Sequence, residues 1–237
     1  MKIIAVVAAR GGSKSIKDKN IRLIGKKHLI NHILSTLLKV NEIERTILSS
    51  DSNKIIKIAK KYNSSHLETR LRPKNLSQDS TPLTSVAHHI ALELEKEGYV
   101  PDYVLQVAPT CPFISVSTVK KIINVLRTKK SNCVVTLQRI EHEHPYRAKK
   151  LNKKNYFSQF IKGINVEKYI SRQDLPTLYC TSGAIYARSF KLLKSFSGRD
   201  FCLGPKPYGI VVNDREAVNI DRLIDFKFAE FISKNKF

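Results

Sequence analysis

The sequence predicts an α/β protein built on a doubly wound, mostly parallel sheet. Two observations carry this. Short runs of aliphatic and β-branched residues, apolar at every position, suit strands covered by helices on both faces. Between them lie segments whose apolar residues recur at helical spacing, with short connections, so strand and helix alternate as far as residue 137. Right-handed crossovers then place helices on both sides of a Rossmann-like sheet.

The elements follow in order. Ile3 to Ala9 is a continuous apolar strand, and Arg10 to Asn20 is the loop after it. From His28, Ile30, Ile33, Leu34, Leu37 and Leu38 mark a helix. Thr46-Ile47-Leu48 is a short strand ending at Ser49-Ser50-Asp51, and Asp51 or Ser52 can cap a helix that carries Ile55, Ile58 and Ala59. Arg70 to Ser85 is polar, holds two prolines and reads as a loop. Val86, Ile90, Ala91 and Leu94 line the next helix. Tyr103 to Val107 is a strand closed by Pro109-Thr110-Cys111-Pro112. Ser115 or Ser117 caps a helix with Val119, Ile122, Ile123 and Leu126, and Cys133 to Leu137 is another buried strand. The rhythm breaks from 138 to 181, a basic, aromatic and weakly periodic stretch. Patterning returns at Gly183-Ala184-Ile185-Tyr186 and at Tyr208 to Val212, and a last helix starts near Arg222 with Leu223, Phe226 and Ala229. The whole, residues 1–237, reads as one domain with 138–181 as an extension.

Composition narrows the class. A 42% hydrophobic and 26% charged chain is that of a globular protein, not of a disordered or collagenous one. No apolar run nears the roughly 20 residues of a transmembrane helix, and the first strand is followed at once by Arg10, unlike a secretory leader. The four cysteines are dispersed, so free thiols in a reducing cytoplasm are expected. The net charge of +22 suits a polyanionic partner: a nucleotide, a nucleic acid or an anionic surface. The nucleic-acid reading lacks its usual signatures, because no helix-turn-helix, zinc-finger or RNA-recognition pattern and no basic tail is present.

Ligands of doubly wound sheets sit beyond the carboxyl ends of the strands. The loop there reads Arg10-Gly11-Gly12-Ser13-Lys14-Ser15-Ile16-Lys17-Asp18-Lys19-Asn20. Two glycines let backbone N–H groups approach an anion, and Arg10, Lys14 and Lys19 add directed charge, so this loop reads as phosphate-binding. It matches neither the P-loop nor the dinucleotide fingerprint. Glu141-His142-Glu143-His144 looks like a metal tract, but no third ligand is placed by spacing. His88 and His89 read as packing or surface residues on a helix.

The segment Ala9-Arg10-Gly11-Gly12-Ser13-Lys14 with Lys19-Asn20 resembles the N-terminal signature of the CMP-sialic acid synthetases, the N-acylneuraminate cytidylyltransferases. Further segments agree in order: Ser49-Ser50-Asp51; Arg72-Pro73 through Leu76 to Asp79-Ser80; Pro109-Thr110-Cys111-Pro112; Arg172-Gln173-Asp174-Leu175-Pro176; Gly183-Ala184-Ile185-Tyr186; and Asn219-Ile220-Asp221 with Asp225. The resemblance spans nearly the whole chain. It implies a nucleotide-diphospho-sugar transferase type of fold. The implied reaction joins CTP to a nonulosonic acid, assisted by Mg²⁺, and releases pyrophosphate.

The resemblance also implies roles. Arg10 and Lys14 would hold the triphosphate, with Lys19 near the α-phosphate. Ala9, Gly11, Gly12, Ser13, Asn20, Arg72, Asp79 and Ser80 would complete the nucleotide site. Asp221 would ligate Mg²⁺, with Asn219 beside it. Arg147, Arg172 and Gln106 would face the sugar. A homodimer formed through 138–181 is implied as well, with no nucleic-acid or membrane partner. Three departures stand out. Ser15 takes the place of a usual glycine. Ala108 and Ile114 stand where the turn usually carries Gln and Arg. Asn219 replaces the first Asp of the family's D-I-D. Gln106 lies two residues before Ala108, on the same strand face, and could supply the missing amide. The alternative readings are a CTP-binding relative with weak or altered activity or, in a different class, a basic nucleic-acid-binding protein.

Overall fold

The computed structural model describes residues 1–198 and 200–235. β1 (Ile3–Ala8) leads through the glycine loop to a two-stranded ribbon, β2 (Leu23–Ile24) and β3 (Lys27–His28), and then to α1 (Leu29–Leu37). β4 (Arg45–Ser50), α2 (Asn53–Lys60), β5 (Leu67–Leu71), α3 (Leu83–Lys96), β6 (Tyr103–Val107), α4 (Val116–Lys129) and β7 (Cys133–Arg139) follow. A second ribbon, β8 (Lys149–Leu151) with β9 (Phe157–Gln159), precedes β10 (Tyr179–Ser189), α5 (Phe190–Lys194), β11 (Tyr208–Val211) and α6 (Leu223–Lys234).

The main sheet has seven strands in the order β11-β7-β10-β6-β1-β4-β5. β10 runs antiparallel to both neighbours, and the other pairings are parallel. The sheet is therefore mostly parallel, as the sequence predicts. β1 is buried along its whole length. Its Ile3, Ala5 and Val7 pack in one cluster with α1, α2 and α4, while Ile4 and Val6 pack in another with α3 and α5. That two-sided burial is why the strand is apolar at every position, and each such aliphatic side chain contributes about 1.5–3 kcal/mol. A third cluster joins α6, through Phe226, Ala229 and Ile232, to Ile16, Ile24, Leu29 and Ile220. It braces the glycine loop from below.

The chain reverses direction of winding between β1 and β6: β4 lies on one side of β1 and β6 on the other. A crevice opens at such a switch point. The carboxyl ends of β1, β4 and β6 meet there with the amino end of β10.

Three elements differ from the expectations. Leu67–Leu71 is a strand, so the loop expected from Arg70 starts later; Glu68 and Arg70 of this edge strand are polar because they form ion pairs with Arg45, Glu93 and Glu97. Residues 190–194 form a short helix, too brief to show a period. β7 and β10 pair as far as Arg139 and Tyr179, which narrows the irregular stretch expected at 138–181 to 140–178. Ser115 caps α4 by accepting a hydrogen bond from the N–H of Thr118.

Candidate active site

The loop after β1 is built by contacts across the sheet. Ala9 N–H donates to the carbonyl of Ser49 at 3.0 Å and Gly11 N–H to Oδ1 of Asp51 at 2.8 Å. A side chain at Gly11 would bring its Cβ within 2.8 Å of Ser52 Cβ, so glycine is required there, whereas a Cβ at Gly12 meets nothing within 4 Å. Asp18 takes a left-handed backbone, a conformation Asp tolerates, and starts the 3-10 turn Lys19–Ile21. That turn swings Lys19 and Asn20 inward, where the Asn20 amide donates to the Arg10 carbonyl at 2.9 Å.

The loop bounds a cleft of about 410 Å³ lined by Arg10, Ser13, Lys14, Lys19, Asn20, Arg72 and Asp79, among others. Arg10 and Lys14 converge on the Asp79 carboxylate. Arg72 is buried; its Nε donates to Ser49 Oγ at 3.2 Å and its Nη2 to the Ser49 carbonyl at 2.6 Å. Burial weakens its hold on the proton, only partly offset by the nearby Asp51. Four cationic side chains thus face one cleft whose only acidic members are Asp79 and Asp221 among the described residues. Such a cleft attracts a polyanion.

Lys19 forms the floor. It is 9% exposed, its Nζ donates to the Ile220 carbonyl at 2.7 Å, and Oδ1 of Asp221 lies 3.5 Å away. Asn219 donates its side-chain amide to Oδ2 of Asp221 at 3.2 Å. The Asn219–Asp221 segment is pinned where Ile220 N–H donates to the Thr110 carbonyl at 2.9 Å. Asp225 accepts from the N–H groups of Asp221 at 3.1 Å and Arg222 at 2.7 Å. Burial opposes its charge, but those two N–H donors prevail and hold its carboxyl below the usual aspartate value. Asp225 is therefore the acid of a capping box at the start of α6, and it also holds the Asp221 backbone.

A second chamber of about 590 Å³ adjoins the first and shares Leu83, Thr110 and Asp221 with it. Gln106, Ala108, Tyr186, Arg188 and Phe201 line it. Tyr186 and Phe201 stack with ring planes 10° apart. Asp221 sits where the two chambers meet.

The remaining expected site residues lie as follows. Ala9 is buried beneath the loop, and Gly11 and Gly12 form its backbone; none of the three lines the cleft. Ser80 is exposed and outside the lining, where Gln78 and Thr81 stand instead. Arg147 donates to the Ile170 carbonyl at 2.8 Å, and Arg172 pairs with Glu141; both belong to the 140–178 segment and line neither chamber. Arg188 carried no sequence signal, because its partners lie 82 and 14 residues away. In the Glu141 to His144 tract, His144 is buried with both ring nitrogens engaged, Nδ1 by the Tyr146 N–H at 3.2 Å and Nε2 on the Pro176 carbonyl at 3.1 Å. Among the described residues no cluster of three His, Cys, Asp or Glu is set to hold a metal. His88 packs against Phe196.

Residues 4–206 match the family model described as cytidylyltransferase. Pseudaminic acid cytidylyltransferase of Campylobacter jejuni is 30% identical over 99% of this chain and 97% of its own length. CMP-N,N'-diacetyllegionaminic acid synthase of Legionella pneumophila is 26% identical over 97% and 95%. N-acylneuraminate cytidylyltransferase of Escherichia coli is 26% identical over 99% of this chain and 53% of that protein. In fold, the chain is similar to a CMP:2-keto-3-deoxy-manno-octonic acid synthetase solved with CTP, at a TM-score of 0.71 and 16% identity over 99% of each chain. With a cationic cleft at the switch point of the sheet and a match over most of its length, the chain belongs to the cytidylyltransferase family.

Proposed function

We propose that this enzyme transfers CMP from CTP to a nonulosonic acid of the pseudaminic, legionaminic or sialic type, releasing pyrophosphate. The single observation that carries the reading is the pair of adjoining chambers, one cationic and one ring-lined, that meet at Asp221. The names of the relatives, with pseudaminic acid first, support the sugar class.

In this reaction the anomeric hydroxyl oxygen of the sugar bonds to the α-phosphorus of CTP. The bond from that phosphorus to the bridging oxygen breaks, pyrophosphate leaves with the electron pair, and the hydroxyl proton passes to water. Such a transfer needs positioning and charge neutralisation more than covalent help. Arg10 and Lys14 exchange Asp79 for the triphosphate, and Arg72 stands behind them. Lys19, fixed by Ile220, offers its ammonium to the α-phosphate.

The residues fit Mg²⁺. That ion in nucleotide sites takes one or two carboxylates together with phosphates and waters, and Asp221 opens onto both chambers. When bound, Mg²⁺ would neutralise charge on the phosphate oxygens. Asn219, turned toward Asp221 through its NH₂ group, keeps that carboxylate in place.

The reading includes a homodimer. The 140–178 segment exposes Leu151, Tyr156, Phe157, Phe160 and Ile170, and α6 exposes Ile224 and Phe228. So large an apolar display on one segment suits a second copy of the chain. Arg147 and Arg172 would then serve the neighbour's sugar chamber. Four free cysteines suit a cytoplasmic enzyme, and no described helix is long and apolar enough to cross a membrane.

Pyrophosphate release with CTP and Mg²⁺ tests the proposal against pseudaminate, legionaminate, N-acetylneuraminate and the eight-carbon acid sugar Kdo. Turnover with one nonulosonic acid supports it. A folded enzyme that binds CTP yet turns over none of them favours the altered-activity alternative.

A further inference from the structure

Among the described residues Arg188 is the largest fully buried side chain, at 1% exposure, and it borders the second chamber. Its Nε donates to the Cys202 carbonyl at 2.8 Å, its Nη2 to the Phe201 carbonyl at 2.6 Å, and its Nη1 to Oε1 of Gln106 at 3.0 Å. The guanidinium also lies over the Tyr186 ring, 5.0 Å from its centroid. Among the described residues no carboxylate pairs with it. Its direct acceptors are all neutral, and the Asp200 carboxylate on the same chamber acts on it only at longer range, so this buried cation is costly to keep. A second cost sits beside it: Cys202 adopts a left-handed backbone with φ of 51°, uncommon for any residue but glycine or asparagine, and its carbonyl is one of the acceptors.

The bond to Gln106 shows what the arrangement achieves. Gln106 of β6 pairs with Tyr186 of β10, and Arg188 lies two residues further along the same face. A guanidinium has donors only, so Gln106 must turn its carbonyl toward Arg188. Its NH₂ group is then left to the chamber that Gln106 lines. Ala108, on the same face and nearer the cleft, leaves room above it.

We propose that Arg188 is a positioning residue that locks the Gln106 amide, so that the sugar chamber presents an N–H donor to an oxygen acceptor of the acid sugar. The inference rests on the nucleotidyl-transfer reading above and assigns the polarity of its sugar chamber. The amide selects substrates that place a carbonyl, carboxylate or ether oxygen at that point, and it disfavours those that place a hydrogen-bond donor there.

Gln106→Glu is the decisive variant. It keeps the contact to Arg188 as an ion pair, so the fold is preserved, but it turns an acceptor oxygen toward the chamber. The expected result is a KM for the sugar raised about tenfold or more, equivalent to about 1.4 kcal/mol, with the KM for CTP and the Tm unchanged. Arg188→Met frees the amide and raises the sugar KM as well. Combined with Gln106→Ala it adds nothing further, because both changes remove one device. A sugar KM unmoved in Gln106→Glu, or effects of Arg188→Met and Gln106→Ala that multiply, overturns the proposal. Wild-type pyrophosphate release in the same assay separates the two readings. Its absence with every acid sugar overturns the transfer function and this inference together, whereas normal wild-type turnover with an indifferent Gln106→Glu overturns this inference alone.

Discussion

Replacing Lys19 by Met separates the catalytic role proposed for this side chain from its structural one. The change keeps a stem of similar length and deletes the ammonium that donates to the Ile220 carbonyl at 2.7 Å. Lys19 lines the cleft, so water can enter in place of its ammonium and the low end of the range applies: about 1.5 kcal/mol for a hydrogen bond from a charged group. For a chain of this size, at about 2–4 °C per kcal/mol, that lowers Tm by roughly 3–6 °C. The enzyme stays folded at 25 °C. Catalysis loses more. A fixed donor aimed at charge developing in the transition state is worth about 2.7–4 kcal/mol, a factor of roughly 10²–10³ in kcat. Pyrophosphate release with CTP and sugar both saturating reads this directly. A kcat within about threefold of wild type, under 1 kcal/mol of barrier, would refute the assignment of Lys19 to the reacting phosphate.

Gly11→Ala forces a Cβ to within 2.8 Å of Ser52 and should cost about 1–3 kcal/mol of overpacking, whereas Gly12→Ala, with nothing within 4 Å, should leave Tm near wild type; thermal melts compare the two. Asp79→Asn frees Arg10 and Lys14 from their carboxylate, so inorganic pyrophosphate should inhibit the variant more strongly than wild type in steady-state assays. Burial lowers the pKa of His32 and of His88 below the ordinary 6.5, so the unfolded chain takes up protons that the folded chain refuses; Tm should fall as pH drops below about 6.5. A Tm that is flat from pH 7 to about 5 would contradict that. Burial raises the thiol of Cys111 to about 12 and that of Cys133 to about 11, so native alkylation should reach the half-exposed Cys180 first and those two only after unfolding, as mass spectrometry can show.

How much of this was legible in the sequence depends on how local each signal is. β1 could be read because burial on both faces forces an apolar residue at every position. The glycine loop could be read because the phosphate-binding role proposed for it needs glycine, arginine and lysine within a few residues. β5 could not, since an edge strand that carries Glu68 and Arg70 for ion pairing has the composition of a loop. The antiparallel course of β10 left no local trace either. Asp225 stands in the sequence only as a companion of the Asn219-Ile220-Asp221 segment, and its backbone partners identify it as the capping-box acid of α6. Arg188 was invisible: an arginine inside a strand gains meaning from Gln106, Phe201 and Cys202, which the fold gathers from distant parts of the chain.

The measurement that tests the central claim most directly is a product analysis by mass spectrometry of CTP and pseudaminate incubated with the enzyme and Mg²⁺, beside an Asp221→Ala control. Two chambers joined at Asp221 predict one CMP-sugar for each pyrophosphate, and neither product from the control. Intact CTP with every nonulosonic acid offered, or CTP consumed without a CMP-sugar appearing, would contradict it.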